Sequence, residues 1–324
     1  MSKWLVTGGA GYIGAHVVRN LISQSFQTVV VDDLSSGLER KIPKDVPFYK
    51  FDISNTLKLT ETLKENKIEG VIHLAAKKAV GESMLNPSLY YQENIGGLLS
   101  VLQAMANAEV KNIVYSSSAS VYGTPKEEKV SELSETHPES PYGETKLVGE
   151  WLLKADQAAR NINWIALRYF NVVGASENEL GDTGVNNLVP MIFRAIAKNQ
   201  RPQVFGGDYQ TPDGSCIRDY IHVSDLAEAH AVAAKKLLPK NYSGIFNIGR
   251  GSGISVKEVM KTVADVIGRE LNYEIVERRA GDPAQTIADI SKASKELEWE
   301  AKLDLTDMVK SAWDAWQTFP PNNL

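Results

Sequence analysis

A doubly wound α/β fold built on a parallel sheet is what this sequence predicts, and three observations carry that expectation. Short apolar runs alternate with longer amphipathic segments through the first half of the chain. The runs show no polar face, as strands require when helices cover both sides of a sheet. Between the first run and the first amphipathic segment stands a glycine-rich turn, TGGAGYIG.

The elements follow in order. KWLVT predicts the first strand, and a helix begins near Tyr12. QTVVVDD and VPFYKFDI predict the next two strands, and GVIHLAA is followed by a helix from Pro87 to Ala108. KNIVYSSS leads to a helix through Tyr142, and INWIALRYF closes the regular part. After Asn171 the rhythm loosens into a long loop, NVVGASENELGDTG. Beyond it we expect a helix around Met191 to Lys198, short strands near Val204, Ile217, Phe246 and Tyr273, and helices near Leu226, Val256 and Trp313. The chain therefore divides into a regular unit over 1–171 and a smaller mixed α/β lobe over 172–324, some of which returns to the first unit. No flexible linker separates them, so a cleft between the lobes is expected, at the strand carboxyl ends.

Composition narrows the function. The 324 residues are 43% hydrophobic and 23% charged, with a formal net charge of -5. Lysine and arginine are spread along the chain, which argues for a small-molecule ligand and against nucleic acid. Cys216 is the only cysteine, so a multi-cysteine zinc site and an internal disulfide are excluded. The five histidines share no metal-ligand spacing, His73 reads as a core histidine, and no metal is expected. The amino end lacks the pattern of a signal peptide, and no run of about 18 apolar residues occurs, so a cytoplasmic protein without a membrane span is expected.

Gly8, Gly11 and Gly14 stand at three-residue intervals at the mouth of the first helix. Such glycines allow a tight turn, close approach of backbone N–H groups to a pyrophosphate, and close helix-on-strand packing. Asp32 closes the second strand, eighteen residues beyond Gly14. A carboxylate there binds ribose hydroxyls and repels a 2′-phosphate, which favours NAD over NADP. Further on, Tyr142 and Lys146 sit four apart in a helix, on one face, where phenol and ammonium can reach a common point. Chance often supplies that spacing, so the pair alone decides nothing.

In order along the chain, VTGGAGYIG, DDLSSG, FDI, KKAVGES, YSSSASVYG, PYGETK, RYFNVVG, NNLVP, IRDYIHVSDLA, FNIG and RRAGDPA resemble the extended short-chain dehydrogenase/reductases, which have a Rossmann-type domain, and within them the UDP-glucose (UDP-galactose) 4-epimerases. The resemblance implies that Tyr12 and Ile13 lie along the pyrophosphate of NAD, with Asp32, Asp33, Leu34, Ser35, Ser36 and Gly37 around the adenosine ribose. It sets Asp52 and Ile53 beside the adenine, and Leu74, Ala75, Ala76 and Lys78 under the nicotinamide half. Asn94, Ser116 and Tyr169 complete the implied cofactor set, although Glu93 stands where the family usually has a second asparagine.

The same resemblance makes Ser118, Tyr142 and Lys146 the catalytic residues. Positive charge from Lys146 and the nicotinamide would lower the Tyr142 pKa, so that it takes the proton of the sugar 4-hydroxyl while C4 gives its hydride to NAD. Ser118 hydrogen-bonds the reacting oxygen. A 4-keto sugar then turns over and is reduced on its other face. Related 4,6-dehydratases carry an Asp-Glu pair after the hydroxyl residue; Ala119 and Ser120 stand here. Asn171, Asn187 and Leu188 would meet the diphosphate region together with Arg218, Tyr220 and Arg279, and Asp282 the uridine ribose. The alternative for the arginines is a pair of surface ion pairs, Arg218 with Asp219 and Arg279 with Asp282. Thr286 falls beside the sugar 2-position, where a small residue leaves room for N-acetylated UDP-sugars. A homodimer is implied, with Leu98, Leu99, Val101, Leu102 and Met105 as a candidate face. Other UDP-sugar enzymes of the group, such as UDP-pentose or UDP-uronate 4-epimerases or a decarboxylase, and a catalytically silent NAD-binding sensor stay open as alternatives.

Overall fold

The computed structural model describes residues 2–184, 186–239, 241–279 and 282–321. Its first half runs β1 (Lys3–Thr7), α1 (Tyr12–Ser23), β2 (Gln27–Asp32), β3 (Phe48–Lys50), α2 (Thr56–Glu65), β4 (Gly70–His73), α3 (Val80–Leu85), α4 (Pro87–Tyr90), α5 (Gly97–Asn107), β5 (Asn112–Ser118), α6 (Pro141–Arg160) and β6 (Asn163–Tyr169). Then come β7 (Asn171–Val173), α7 (Leu188–Ala197), β8 (Gln203–Phe205), β9 (Ile217–His222), α8 (Val223–Leu237), β10 (Ser243–Ile248), β11 (Gly253–Ser255), α9 (Val256–Ile267), β12 (Glu274–Val276), β13 (Gln285–Thr286) and α10 (Leu305–Thr318).

Seven strands form one parallel sheet, in the order β3-β2-β1-β4-β5-β6-β10. Alternate residues of each strand feed opposite cores, which is why the runs are apolar throughout. Trp4, Val6 and Val30 join Val17, Leu21 and the α8 alanines on one face, while Leu5, Val29 and Val31 join Leu59, Leu98 and Met105 on the other. The strand order reverses beside β1, so a crevice opens between the carboxyl ends of β1 and β4. A second group of strands, β11-β9-β13 with β7 also on β9, carries the smaller core of α7, α9 and α10.

Two expectations are sharpened and one needs correction. The strand near Phe246 and the helix near Leu226 belong to the large layer: β10 pairs with β6, and α8 packs on α1 through Ala227, Ala231 and Ala234, all buried. The small residues allow that close approach. The helix expected from Pro87 to Ala108 runs from Pro87 to Asn107 and contains a π-helical turn at Tyr91–Gly96, which carries Asn94 inward. Leu98, Val101, Leu102 and Met105 are core, each 4% exposed or less, and only Leu99, 49% exposed, faces outward.

Candidate active site

The turn after β1 is shaped by contact. Gly8 has φ of +72°, and a Cβ on it would lie 2.8 Å from the backbone nitrogen of Ala75, just past β4. A Cβ on Gly14 would lie 2.1 Å from the Gly8 carbonyl oxygen. Gly11 caps α1 without any side-chain hydrogen bond, and the first turn holds no acidic residue. The positive helix end is thereby left for an anion. Asp32 Oδ2 accepts from Ala10 N at 3.0 Å and Oδ1 from Leu34 N at 2.8 Å, which holds Leu34 at φ of +63°. Gly37 is packed against the same carboxylate, and Ser35 and Ser36 are exposed beside Asp33. Asp52 is exposed, and Ile53 packs on Gly97. This glycine turn, free helix end and strand-end carboxylate fit a dinucleotide.

Two implied cofactor residues act differently at the side chain. The Tyr12 hydroxyl donates to Gly174 O at 2.6 Å, so Tyr12 can offer a pyrophosphate its backbone N–H at the start of α1 but not its phenol. Asn94 Oδ1 accepts from Lys77 N at 2.7 Å while Nδ2 donates to Lys77 O and to Thr145 Oγ1. It clips the segment after β4 to α6.

The Tyr142–Lys146 pair is built by capping and close packing. Ser140 caps α6 by accepting from Gly143 N at 3.1 Å, and Pro141 starts the helix. At Gly149 the helix touches β5, where a Cβ would fall 2.1 Å from the Tyr115 hydroxyl. That approach lets the Lys146 ammonium donate to Ser116 O at 2.7 Å and sit 5.8 Å from the Tyr142 ring centroid. Ser118 ends β5 opposite Tyr169 of β6, and the Tyr169 hydroxyl meets Ser116 Oγ. Burial pushes the Tyr142 phenol above its ordinary value, opposed by a hydrogen bond with Ser118. The protein alone therefore keeps it a phenol. Burial lowers Lys146 to about 7. His73 is buried, stacks on Tyr115 and shares a 2.8 Å hydrogen bond with Thr7 Oγ1. Burial holds it neutral, at about 3.

A cavity of about 620 Å³ is lined by residues between Asn171 and Asp282, and Ser118, Tyr142 and Lys146 are not in its wall. Asn171, two residues past Tyr169, lines it together with Asn187, Leu188, Arg218, Tyr220, Arg279 and Asp282. Arg218 Nη2 meets Asp282 Oδ1 at 2.5 Å. The alternative pairing of Arg218 with Asp219 does not form, because neighbouring residues of a strand point to opposite faces. Asp219 instead accepts from the backbone N–H groups of Arg250, Gly251 and Ala288. Arg279 lies 3.8 Å above the centroid of Phe205 and makes no pair with Asp282. Thr286 is 7% exposed and is not among the cavity-lining residues; it stands on β13 beside Arg218 of β9.

Sequence reasoning missed three features. Cys216, 6% exposed, is also part of the cavity wall, because it stands two residues before Arg218, just ahead of β9. Phe205 lies under Arg279, and only its place before GG in the sequence hints at it. Behind the catalytic strand, Arg168 and Glu150 form a buried ion pair at 2.6 Å that also takes Ser117 Oγ and the Tyr122 hydroxyl. Glu150 lies one helical turn beyond Lys146, a signal that could have been read.

Among curated relatives, the chain is 43% identical to the UDP-glucose 4-epimerase of Halalkalibacterium halodurans, over 98% of this chain and 96% of that one. It is 42% identical to that of Bacillus subtilis, over 97% and 96%. A UDP-glucose-4-epimerase structure from Stenotrophomonas maltophila, with bound NAD and formylated UDP-arabinopyranose, superimposes with a TM-score of 0.94 at 39% identity, covering 98% of each chain. One from Bifidobacterium longum in complex with NAD+ and UDP gives 0.92 at 39% identity over the full length of both chains. The family described as the NAD dependent epimerase/dehydratase family matches residues 4–249, and with relatives this similar over their whole length, the chain belongs to that family.

Proposed function

We propose that the protein is a UDP-glucose 4-epimerase that interconverts UDP-glucose and UDP-galactose through a 4-keto sugar. The observation that carries the reading is the set of Lys146, Tyr142 and Ser118 gathered at the end of β5, together with a separate cavity bearing Arg218 and Arg279 whose wall includes Asn171, two residues past the Tyr169 that pairs with Ser118. The Gly8–Gly14 turn and Asp32 would hold NAD, which would supply a hydride acceptor and, once reduced, a hydride donor. Tyr142 receives the proton of the sugar 4-hydroxyl, Ser118 hydrogen-bonds the reacting oxygen, and the positive charge that bound NAD would add to that of Lys146 turns the phenol into the phenolate this step needs. Arg218 and Arg279 bind the diphosphate, and Asn171 and Asn187 add hydrogen bonds from the rim. The same proton returns from Tyr142 when C4 is reduced on its other face. Ala119 and Ser120 offer no acid–base pair to expel a hydroxyl, which favours epimerisation over dehydration.

Thr286 extends the substrate range to N-acetylated UDP-sugars in this reading. Leu99 on α5 and Trp151 on α6, 49% and 60% exposed, favour a homodimer in which these helices cover each other. Incubating the purified protein, with no NAD added, with UDP-galactose and with UDP-N-acetylgalactosamine, then resolving products by chromatography, tests the proposal. Conversion of both is expected. Conversion of UDP-galactose alone removes the role of Thr286, and no conversion even after NAD is supplied removes the epimerase reading.

A further inference from the structure

Side chains of α1 and of the turn after β2 converge on one target, the loop over 174–184 that leads to α7. The Tyr12 hydroxyl donates to Gly174 O at 2.6 Å, and His16 Nε2 accepts from Ser176 N at 3.1 Å. Arg19 pairs with Glu177 and Glu179, and Arg40 donates to Glu179 O at 3.1 Å. Lys41 donates to Gly181 O at 2.7 Å. It differs from the arginines in being 1% exposed. An ammonium taken out of water costs the fold free energy, and one bond to a carbonyl offsets only part of that cost.

The residue after its acceptor is Asp182. Asp182 Oδ2 accepts from Asn187 Nδ2 at 2.7 Å, and Oδ1 accepts from Gly184 N at 2.9 Å. Asn187 is the N-terminal cap residue of α7 and lines the cavity. Lys41 thus stands two hydrogen bonds and one peptide unit from a proposed substrate-binding residue. We propose that Lys41 is a positioning residue for substrate, holding the carbonyl of Gly181 so that Asp182 fixes Asn187 at the cavity wall. The inference rests on the UDP-sugar reading above. Asp182, Arg40, Lys78 and Arg19 face the ammonium, with the Tyr12 phenol beside Asp182. Burial lowers Lys41 to about 8, the three cations add to the fall, and Asp182 opposes it.

Steady-state conversion of UDP-galactose by Lys41→Met, Asp182→Ala and the double variant tests the link, with bound NAD and melting temperature measured on each. Each single variant is expected to raise KM about tenfold and to leave kcat within about twofold. The double variant should be no worse than the poorer single, since both break one chain of contacts. Bound NAD should stay at the wild-type level, and Lys41→Met should melt at or above the wild-type temperature because a buried charge is gone. Additive effects on KM, unchanged KM, a loss confined to kcat or a loss of NAD would overturn the proposal. Should Lys41→Met fail to fold, Asp182→Ala alone carries the test, with the same KM rise expected and an unchanged KM overturning the link. Wild-type protein that converts no UDP-sugar removes the epimerase reading instead; calorimetry with UDP on the same variants then reads the link, about tenfold weaker binding supporting it and equal binding overturning it.

Discussion

At the catalytic edge each polar group leans on regular structure, whereas along the cavity wall the cationic groups rest on short strands and loops. Lys146 is held by a strand carbonyl, Glu150 by Arg168 from the next strand, and both sit on a twenty-residue helix capped by Ser140. Across the cleft, Arg218 sits on a six-residue strand and pairs with an acid from a loop, and Arg279 lies exposed on a phenylalanine face. The difference fits two tasks. Proton transfer needs groups held to within a fraction of an ångström, while a diphosphate can be gripped by longer and more mobile cations.

The largest effect should come from Tyr142→Phe, which removes the proton acceptor and leaves the ring in its packing. Conversion of UDP-galactose should fall about 10³-fold, while UDP binding measured by calorimetry changes little. Equal losses in both would erase the contrast between the two regions. Next comes Glu150→Gln, which leaves the Arg168 guanidinium buried without its counter-charge. Chemical denaturation should show a loss of about 3 kcal/mol, since breaking one side of a buried pair strands the other. Arg279→Ala is smaller: KM for UDP-galactose should rise about tenfold with kcat nearly constant. A fall in kcat without a rise in KM would mean that the cavity wall also serves the chemistry.

These contrasts track what could be read before any coordinates. The sheet and the glycine turn were legible because they depend on local pattern: apolar runs of fixed length, and glycines whose spacing is dictated by backbone contact. Tyr142 and Lys146 were legible as neighbours because they stand four apart on one helix face, while Ser118 joined them only through the family resemblance. The ligand-facing lobe was less so. The partner of Arg218 lies 64 residues away, the cation on Phe205 belongs to another element, and β10 returns to the large sheet after a long excursion. Such pairings are decided by tertiary packing, which no local period encodes. Asn94 shows the same limit, because nothing in YYQENIGG announces a π-helical turn.

The smallest expected effect concerns acid, and it separates the two regions again. His16, His73, His222 and His230 are all buried, and none lines the cavity. Burial lowers His230 to about 4 although its Nδ1 shares a 2.9 Å hydrogen bond with Leu226 O, and its Nε2 has no hydrogen-bond partner. A histidine whose folded pKa lies below its unfolded value binds fewer protons when folded. Stability is therefore complete above the unfolded value of 6.5 and falls as the pH drops from there toward 4. His230→Phe removes one such group from the α8 face that rests against Tyr169, where the two rings lie 6.0 Å apart. Denaturation midpoints at pH 7 and pH 5 should show the wild type losing stability on acidification and the variant losing less, by on the order of 1 kcal/mol. An identical pH dependence in both would mean that His230 takes up its proton without cost, so that acid sensitivity must lie with other buried groups such as His16, His73 and His222.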